Sequence, residues 1–114
     1  MTVRELSQLY YLNREIEMDA HRLQALTREM AASRWPGMVR DIRDVVADKH
    51  RRCIAEHDRL AQYIAGIPDP LLRETFGLRY VEQLKWDAVS MRLGGVNSGE
   101  NLRVMASRYL RRNP

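Results

Sequence analysis

From Leu6 to Met30 apolar residues recur at alternating spacings of three and four: Leu9, Leu12, Ile16, then Leu23, Leu26 and Met30. That spacing lays one stripe along a helix, and it predicts a long amphipathic helix over residues 3–32. Where the stripe should be filled between Ile16 and Leu23 stands Asp19, with Ala20 beside it, so the seam thins in its middle. The run Ser33-Arg-Trp-Pro-Gly37 interrupts the pattern, because proline cannot extend a helical hydrogen-bond ladder and glycine accepts the turn beyond it. A second helix is expected over residues 39–65, burying Val39, Ile42, Val46, Cys53, Leu60 and Ile64. Two long helices joined by so short a loop pack antiparallel, giving a helical hairpin over residues 1–66.

Gly66-Ile-Pro-Asp-Pro70 ends the hairpin. Asp69 is a good N-cap and Pro70 suits the first helical position, where its missing N–H costs nothing. Leu72, Phe76, Tyr80 and Leu84 then come at four-residue spacing, predicting a helix over residues 70–83. Trp86, Val89 and Leu93 mark a short helix over 86–93, and Gly94-Gly95-Val96-Asn97 a turn. Asn97, with Glu100 three residues on, has the form of a capping box for a last helix over 98–112. Leu102, Met105, Ala106, Tyr109 and Leu110 give that helix a continuous apolar stripe. No stretch alternates with the period of two that a strand requires. The fold class is all-α: a long antiparallel hairpin over residues 1–66, then a three-helix unit over 69–114.

Composition narrows the class without assigning a function. The 114 residues are 45% hydrophobic and 30% charged, ordinary usage for a folded protein. No apolar run approaches the roughly 20 residues needed to span a bilayer. The first residues lack a basic segment followed by an apolar one, so a cytoplasmic location is expected. The one cysteine, Cys53, fits a reducing compartment. A net charge of +4 is mild, but its placement is uneven. Beyond residue 98, Arg103, Arg108, Arg111 and Arg112 face Glu100 alone.

Little catalytic chemistry is in view. His50, Cys53 and His57 share a helix face, with His21 a further candidate, yet the two histidines are about 10 Å apart along the axis at ~1.5 Å per residue. That is too far for one ion, so neither metal nor cofactor is expected. A cysteine in mid-helix has no free backbone N–H groups from which to build an oxyanion site, which argues against Cys53 as a nucleophile. Gly94-Gly95 lacks the preceding strand and the Gly-Lys-Ser/Thr pattern of a phosphate loop. Trp35 and Trp86 are expected as core or loop anchors.

The order helix, short helix, glycine turn, basic amphipathic helix is that of a helix-turn-helix. With Leu102, Ala106 and Tyr109 inward, Glu100, Val104, Ser107, Arg108 and Arg111 turn outward, flanked by Asn101 and Arg103. The candidate DNA contacts are therefore Asn101, Arg103, Val104, Ser107, Arg108, Arg111, Arg112 and Lys85. Arginine can take a guanine edge and asparagine an adenine edge, while Arg111, Arg112 and Lys85 suit phosphates.

The run Leu78-Arg-Tyr-Val-Glu-Gln-Leu-Lys-Trp-Asp-Ala-Val-Ser-Met-Arg-Leu-Gly94 resembles the LRY-x5-W-x2-I/V-A-x2-L-G signature of the sigma-70 region 4-like helix-turn-helix. Gly95-Val-Asn-Ser-Gly-Glu-Asn-Leu-Arg103 and Ser107-Arg-Tyr-Leu110 are similar to small phage and prophage transcriptional regulators that place a coiled hairpin before such a motif. The resemblance covers about the last third of the chain. Here Ser90 replaces the usual small alanine, and the turn is about two residues longer than usual. It implies a transcriptional regulator that is not an enzyme, with duplex DNA as partner, a homodimer formed through helical surfaces, and RNA polymerase as a further candidate partner. The competing readings are a helical protein-interaction module that never touches DNA, and a phage packaging component.

Overall fold

A computed structural model describes all 114 residues. The chain is all-α: α1 (Val3–Leu6), α2 (Leu9–Ala32), α3 (Pro36–Ala65), α4 (Pro70–Phe76), a wide π-helical turn (Gly77–Val81), α5 (Trp86–Arg92) and α6 (Gly99–Arg112). It divides into two compact units, residues 11–58 and residues 1–10 with 59–114. The boundaries between the units fall within helices, near the start of α2 and near the end of α3.

The expected helix over 3–32 is two helices. Thr2 caps α1, its hydroxyl accepting from the Glu5 N–H at 3.1 Å and donating to Glu5 Oε1 at 3.2 Å. Ser7 closes α1 by donating its hydroxyl to the Val3 carbonyl at 2.7 Å, and the chain restarts as α2 at Leu9. The second helix begins three residues earlier than expected. Pro36 occupies its first turn, where no N–H is missed, and the Trp35 carbonyl accepts from Met38 and Val39.

Within residues 11–58, α2 and α3 run antiparallel, Val39 and Val46 being buried against a half-buried row of Leu12, Ile16, Leu23, Leu26 and Met30. Asp19, the break in the stripe, is itself buried. Its Oδ1 accepts from Lys49 Nζ at 3.3 Å, and the same ammonium donates to Glu15 at 2.8 Å. Asp19 Oδ2 and His50 Nδ1 are buried with no hydrogen-bond partner. Ile42, expected in the seam, is exposed instead, because Val39 and Val46 hold the inward column and Ile42 lies to one side of it. Trp35 is exposed as well, so it anchors nothing.

The other unit gathers the chain's N-terminal turn and everything beyond Asp58. Leu6, Leu9, Leu60, Ile67 and Phe76 are fully buried. Phe76 meets Tyr80 and Tyr109 at ring-centroid distances of 5.6 and 5.8 Å, and Tyr109 meets Tyr63 edge-on at 6.2 Å. Burying a large apolar side chain contributes about 1.5–3 kcal/mol, so each of these five adds on that order to the unit. Asp69 caps α4 as expected, accepting from the Leu71 N–H at 2.9 Å. The predicted helix over 70–83 does not stay α-helical. The Glu82 N–H reaches back five residues to the Gly77 carbonyl, and Gln83 closes the turn at φ 58.

Candidate nucleic-acid interface

Seven of the eight candidate contacts stand on α6, and α6 is held by a second small core. Leu78, Val89 and Leu102 are buried together, with Leu71, Leu84, Trp86, Leu93 and Met105 packed around them. α5 ends in a Schellman motif: Gly94 and Gly95, at φ 92 and 74, return their N–H groups to Met91 and Ser90. Only glycine takes two consecutive left-handed positions at so little cost. The Ser90 hydroxyl donates to the Asn97 carbonyl at 2.5 Å, tying the far side of the turn back to α5. Ser90 thus braces the turn between α5 and α6. Ser98, and not Asn97, caps α6, accepting from the Asn101 N–H at 3.1 Å. Gly99 then passes so near α5 that a Cβ there would lie 2.8 Å from the Trp86 carbonyl carbon and oxygen.

On α6 the buried positions are Gly99, Leu102, Ala106 and Leu110. Asn101, Arg108 and Arg111 are exposed on the opposite side, around a half-buried Val104. Arg112 is exposed near the C-terminal end and lines a groove of about 320 Å3 with Arg108, Leu72, Met105, Tyr109 and Asn113. Ser107 and Arg103 lie on the other flank. They line a groove of about 190 Å3 with Val3, Arg79, Tyr80, Trp86 and Ala106. Ser107, expected outward, is therefore half-buried. Lys85 is exposed at the N-cap of α5, in a neighbouring groove of about 330 Å3 with Ser7, Arg79, Tyr80 and Gln83. The eight candidates thus fall into an outward row of Asn101, Val104, Arg108 and Arg111, one flank with Arg103, Ser107 and Lys85, and the other with Arg112.

Glu100, an obstacle to any phosphate, is already engaged. Arg103 donates to both its oxygens, Nε at 3.0 Å and Nη2 at 2.5 Å, and holds its carboxyl below the usual carboxylate range. The pair cancels locally, which leaves Arg108, Arg111 and Arg112 as the uncompensated charge of α6.

Arg79 is absent from the sequence-derived candidates, yet it organises one flank. Its guanidinium lies 4.9 Å above the Trp86 ring and donates to the Leu84 carbonyl at 2.9 Å. A signal for it exists, since the Leu-Arg-Tyr triplet sets it shortly before Trp86's own helix. The N-terminal turn is a second feature that periodicity overlooks, although Thr2-Val-Arg-Glu5 has the spacing of a capping box. No three His, Cys, Asp or Glu side chains group as a metal site would require. No helix is long and apolar enough to cross a membrane. Among known proteins, no family model, no curated protein and no solved structure matches this chain.

Proposed function

We propose that this chain is a cytoplasmic, non-catalytic DNA-binding transcriptional regulator of phage or prophage type, which reads duplex DNA with α6. The observation that carries the reading is the outward row of Asn101, Arg108 and Arg111 on a helix whose single carboxylate, Glu100, is neutralised by Arg103. A row of this kind fits a major groove, which admits one helix and offers guanine and adenine edges to arginine and asparagine. Arg112 and Lys85, on opposite flanks, would meet phosphates on either side of such a groove. Selection of bound duplexes from a random library, followed by a salt titration, tests the reading. An enriched motif is expected, with affinity falling steeply in salt. Arg108→Ala is expected to cost about 1–3 kcal/mol and to relax preference at one base position, whereas Arg112→Ala should lower the salt slope by about one. A folded protein that enriches nothing at low salt rejects the proposal.

A second reading has one observation in its favour. Met91 and Val96, on α5 and the turn beyond it, are both strongly exposed, and so is a row of large apolar residues on α3. Apolar surface of that kind suits a protein partner, as in an interaction module or a packaging component. Retention of a specific partner by a variant carrying both Arg108→Ala and Arg111→Ala, with DNA binding absent in the parent, would favour it.

A further inference from the structure

The unit formed by residues 11–58 is lopsided in a way that its own core does not account for. One broad face of the α2–α3 pair carries Met18, Trp35, Met38, Ile42 and Val45, which are 62, 68, 66, 48 and 71% exposed, with the exposed Arg14, Arg22, Asp41 and Arg52 at its edges. The bond from Lys49 to Glu15 lies on this same side of the seam and fixes which flanks of the two helices share it. The opposite face carries Asn13, Glu17, Gln24, Arg40, Asp44 and Arg51. At roughly 150–250 Å2 for an open tryptophan and less for methionine, isoleucine and valine, the five residues leave on the order of 500 Å2 of apolar surface in water. That is the upper end of what a monomer shows, and it approaches the ~800 Å2 per partner of a standard interface.

The spacing of that surface says what covers it. Met38, Ile42 and Val45 form a second seam on α3 beside the one already filled by Val39 and Val46, and Trp35, three residues before Met38 and immediately ahead of the helix, continues their three, four, three spacing. In an antiparallel pairing of two such seams, residues whose numbers sum to 80 lie level. Trp35 then meets Val45 of the other copy and Met38 meets its Ile42, so all four layers are apolar, two kinds of layer each occurring twice about one two-fold axis. A shift of one heptad step, to a sum of 87, would set Met38 against a lysine, Lys49. A stripe that matches itself in one register is the mark of an isologous contact. The geometry points to a homodimer in which the α3 helices of two copies pack antiparallel through Trp35, Met38, Ile42 and Val45. Asp41 then lies near its own copy beside the axis, a like-charge contact that opposes the pairing.

This inference does not depend on DNA binding, and its test uses the full chain without DNA. Sedimentation equilibrium is expected to give a reversible monomer–dimer equilibrium. Val45→Glu should raise the dissociation constant at least about 30-fold with helicity unchanged, and Asp41→Asn should lower it about 3-fold. Met91→Glu, at an exposed apolar site in the other unit, should leave it unaltered. Register is read by cross-linking in a Cys53→Ser background. A chain with Met38→Cys mixed with a chain with Ile42→Cys should form a disulfide readily. A chain with Val45→Cys should not link to itself, since the two sites would stand about 15 Å apart along the axis at ~1.5 Å per residue. A monomer at millimolar concentration, a dimer indifferent to Val45→Glu, or rapid self-linking of Val45→Cys would each overturn the assignment.

Discussion

The backbone carbonyl of Trp86 stands 2.8 Å from the point where a Cβ on Gly99 would lie, and the Asp87 carboxylate is 2.9 Å from the same point. Two of those three obstacles are main chain, which cannot swing aside as a side chain can. Gly99→Ala must therefore separate α5 from α6, or shift the start of α6. A loss of about 1–3 kcal/mol is expected, the usual cost of overpacking. Urea unfolding followed by circular dichroism checks it, and Gly37→Ala, where the nearest atom is an arginine terminus at 3.9 Å, is the control expected to cost little.

Leu6 lies in a four-residue helix at the chain's start, yet its side chain is fully buried. Glu5 beside it accepts from Arg59 at 2.6 Å, from the far segment of the same unit. Leu6→Ala is expected to destabilise the unit containing α6 by about 2–5 kcal/mol. Hydrogen exchange locates the effect: amides of α4 to α6 should lose protection together, and amides near Asp48 should not. Loss confined to residues 1–8 would contradict the assignment of α1 to this core.

Asp19 is a buried carboxylate with one oxygen bonded to Lys49 and the other unpartnered. Its pairing offsets a desolvation cost that an apolar residue would not incur. Asp19→Leu should leave stability unchanged or raise it by about 1–4 kcal/mol, while Lys49 keeps Glu15. Lys49→Met should do the reverse, stranding Asp19, at a cost of about 1–3 kcal/mol because the ammonium is half open to water. Thermal unfolding of the two variants side by side decides the matter, and a loss in Asp19→Leu would show that the pair holds the seam together.

Alkaline pH should loosen both units. Burial raises the Tyr80 phenol above its ordinary 10.0, and burial together with the neighbouring Tyr109 raises that of Tyr63. Hydrogen bonds to Glu15 and then Asp19 raise Lys49 above 10.5. A folded-state value above the unfolded one means that stability is intact below about pH 10 and declines as pH climbs through the folded value. On the acid side, Glu5 and Glu100 are held below 4.5 by Arg59 and Arg103, so their contribution is present above that pH and fades beneath it. Melting temperature against pH, with Tyr80→Phe expected to blunt the alkaline limb, tests the assignment.

How far the residues alone reveal the fold depends on which interactions are local. Helix caps and breakers act within four residues, so Asp69 with Pro70 and the pair Gly94-Gly95 mark their elements correctly. The apolar stripe of α6 is legible for the same reason, down to buried Leu102, Ala106 and Leu110. Ile42 is misplaced because α3 carries two adjacent seams, and periodicity alone cannot tell which faces α2. Ser98, not Asn97, is the cap because the helix starts one residue later than the spacing suggests, while the Asn97 carbonyl turns back to Ser90, a contact that only the folded turn creates. The outward row of α6 can be drawn on a helical wheel. That Ser107 and Arg103 border a groove with Val3 cannot, since it depends on a contact between the chain's two ends.

The wide turn at Gly77–Val81 sets a length and not only a shape. A π-helical turn accommodates one residue more than an α-turn, so the segment from Phe76 to Trp86 is one residue longer than an uninterrupted helix would need. Deleting a single residue there would let the ladder close as ordinary α-helix, rotating the downstream chain by about 100°, a little over a quarter of a turn, at ~3.6 residues per turn. Arg79 and Tyr80 would swing away from Trp86 and Phe76, which they now meet, while every apolar residue of α5 and α6 kept its identity. Among related chains, gaps and insertions in this stretch would therefore re-aim α6 more than most substitutions on its surface.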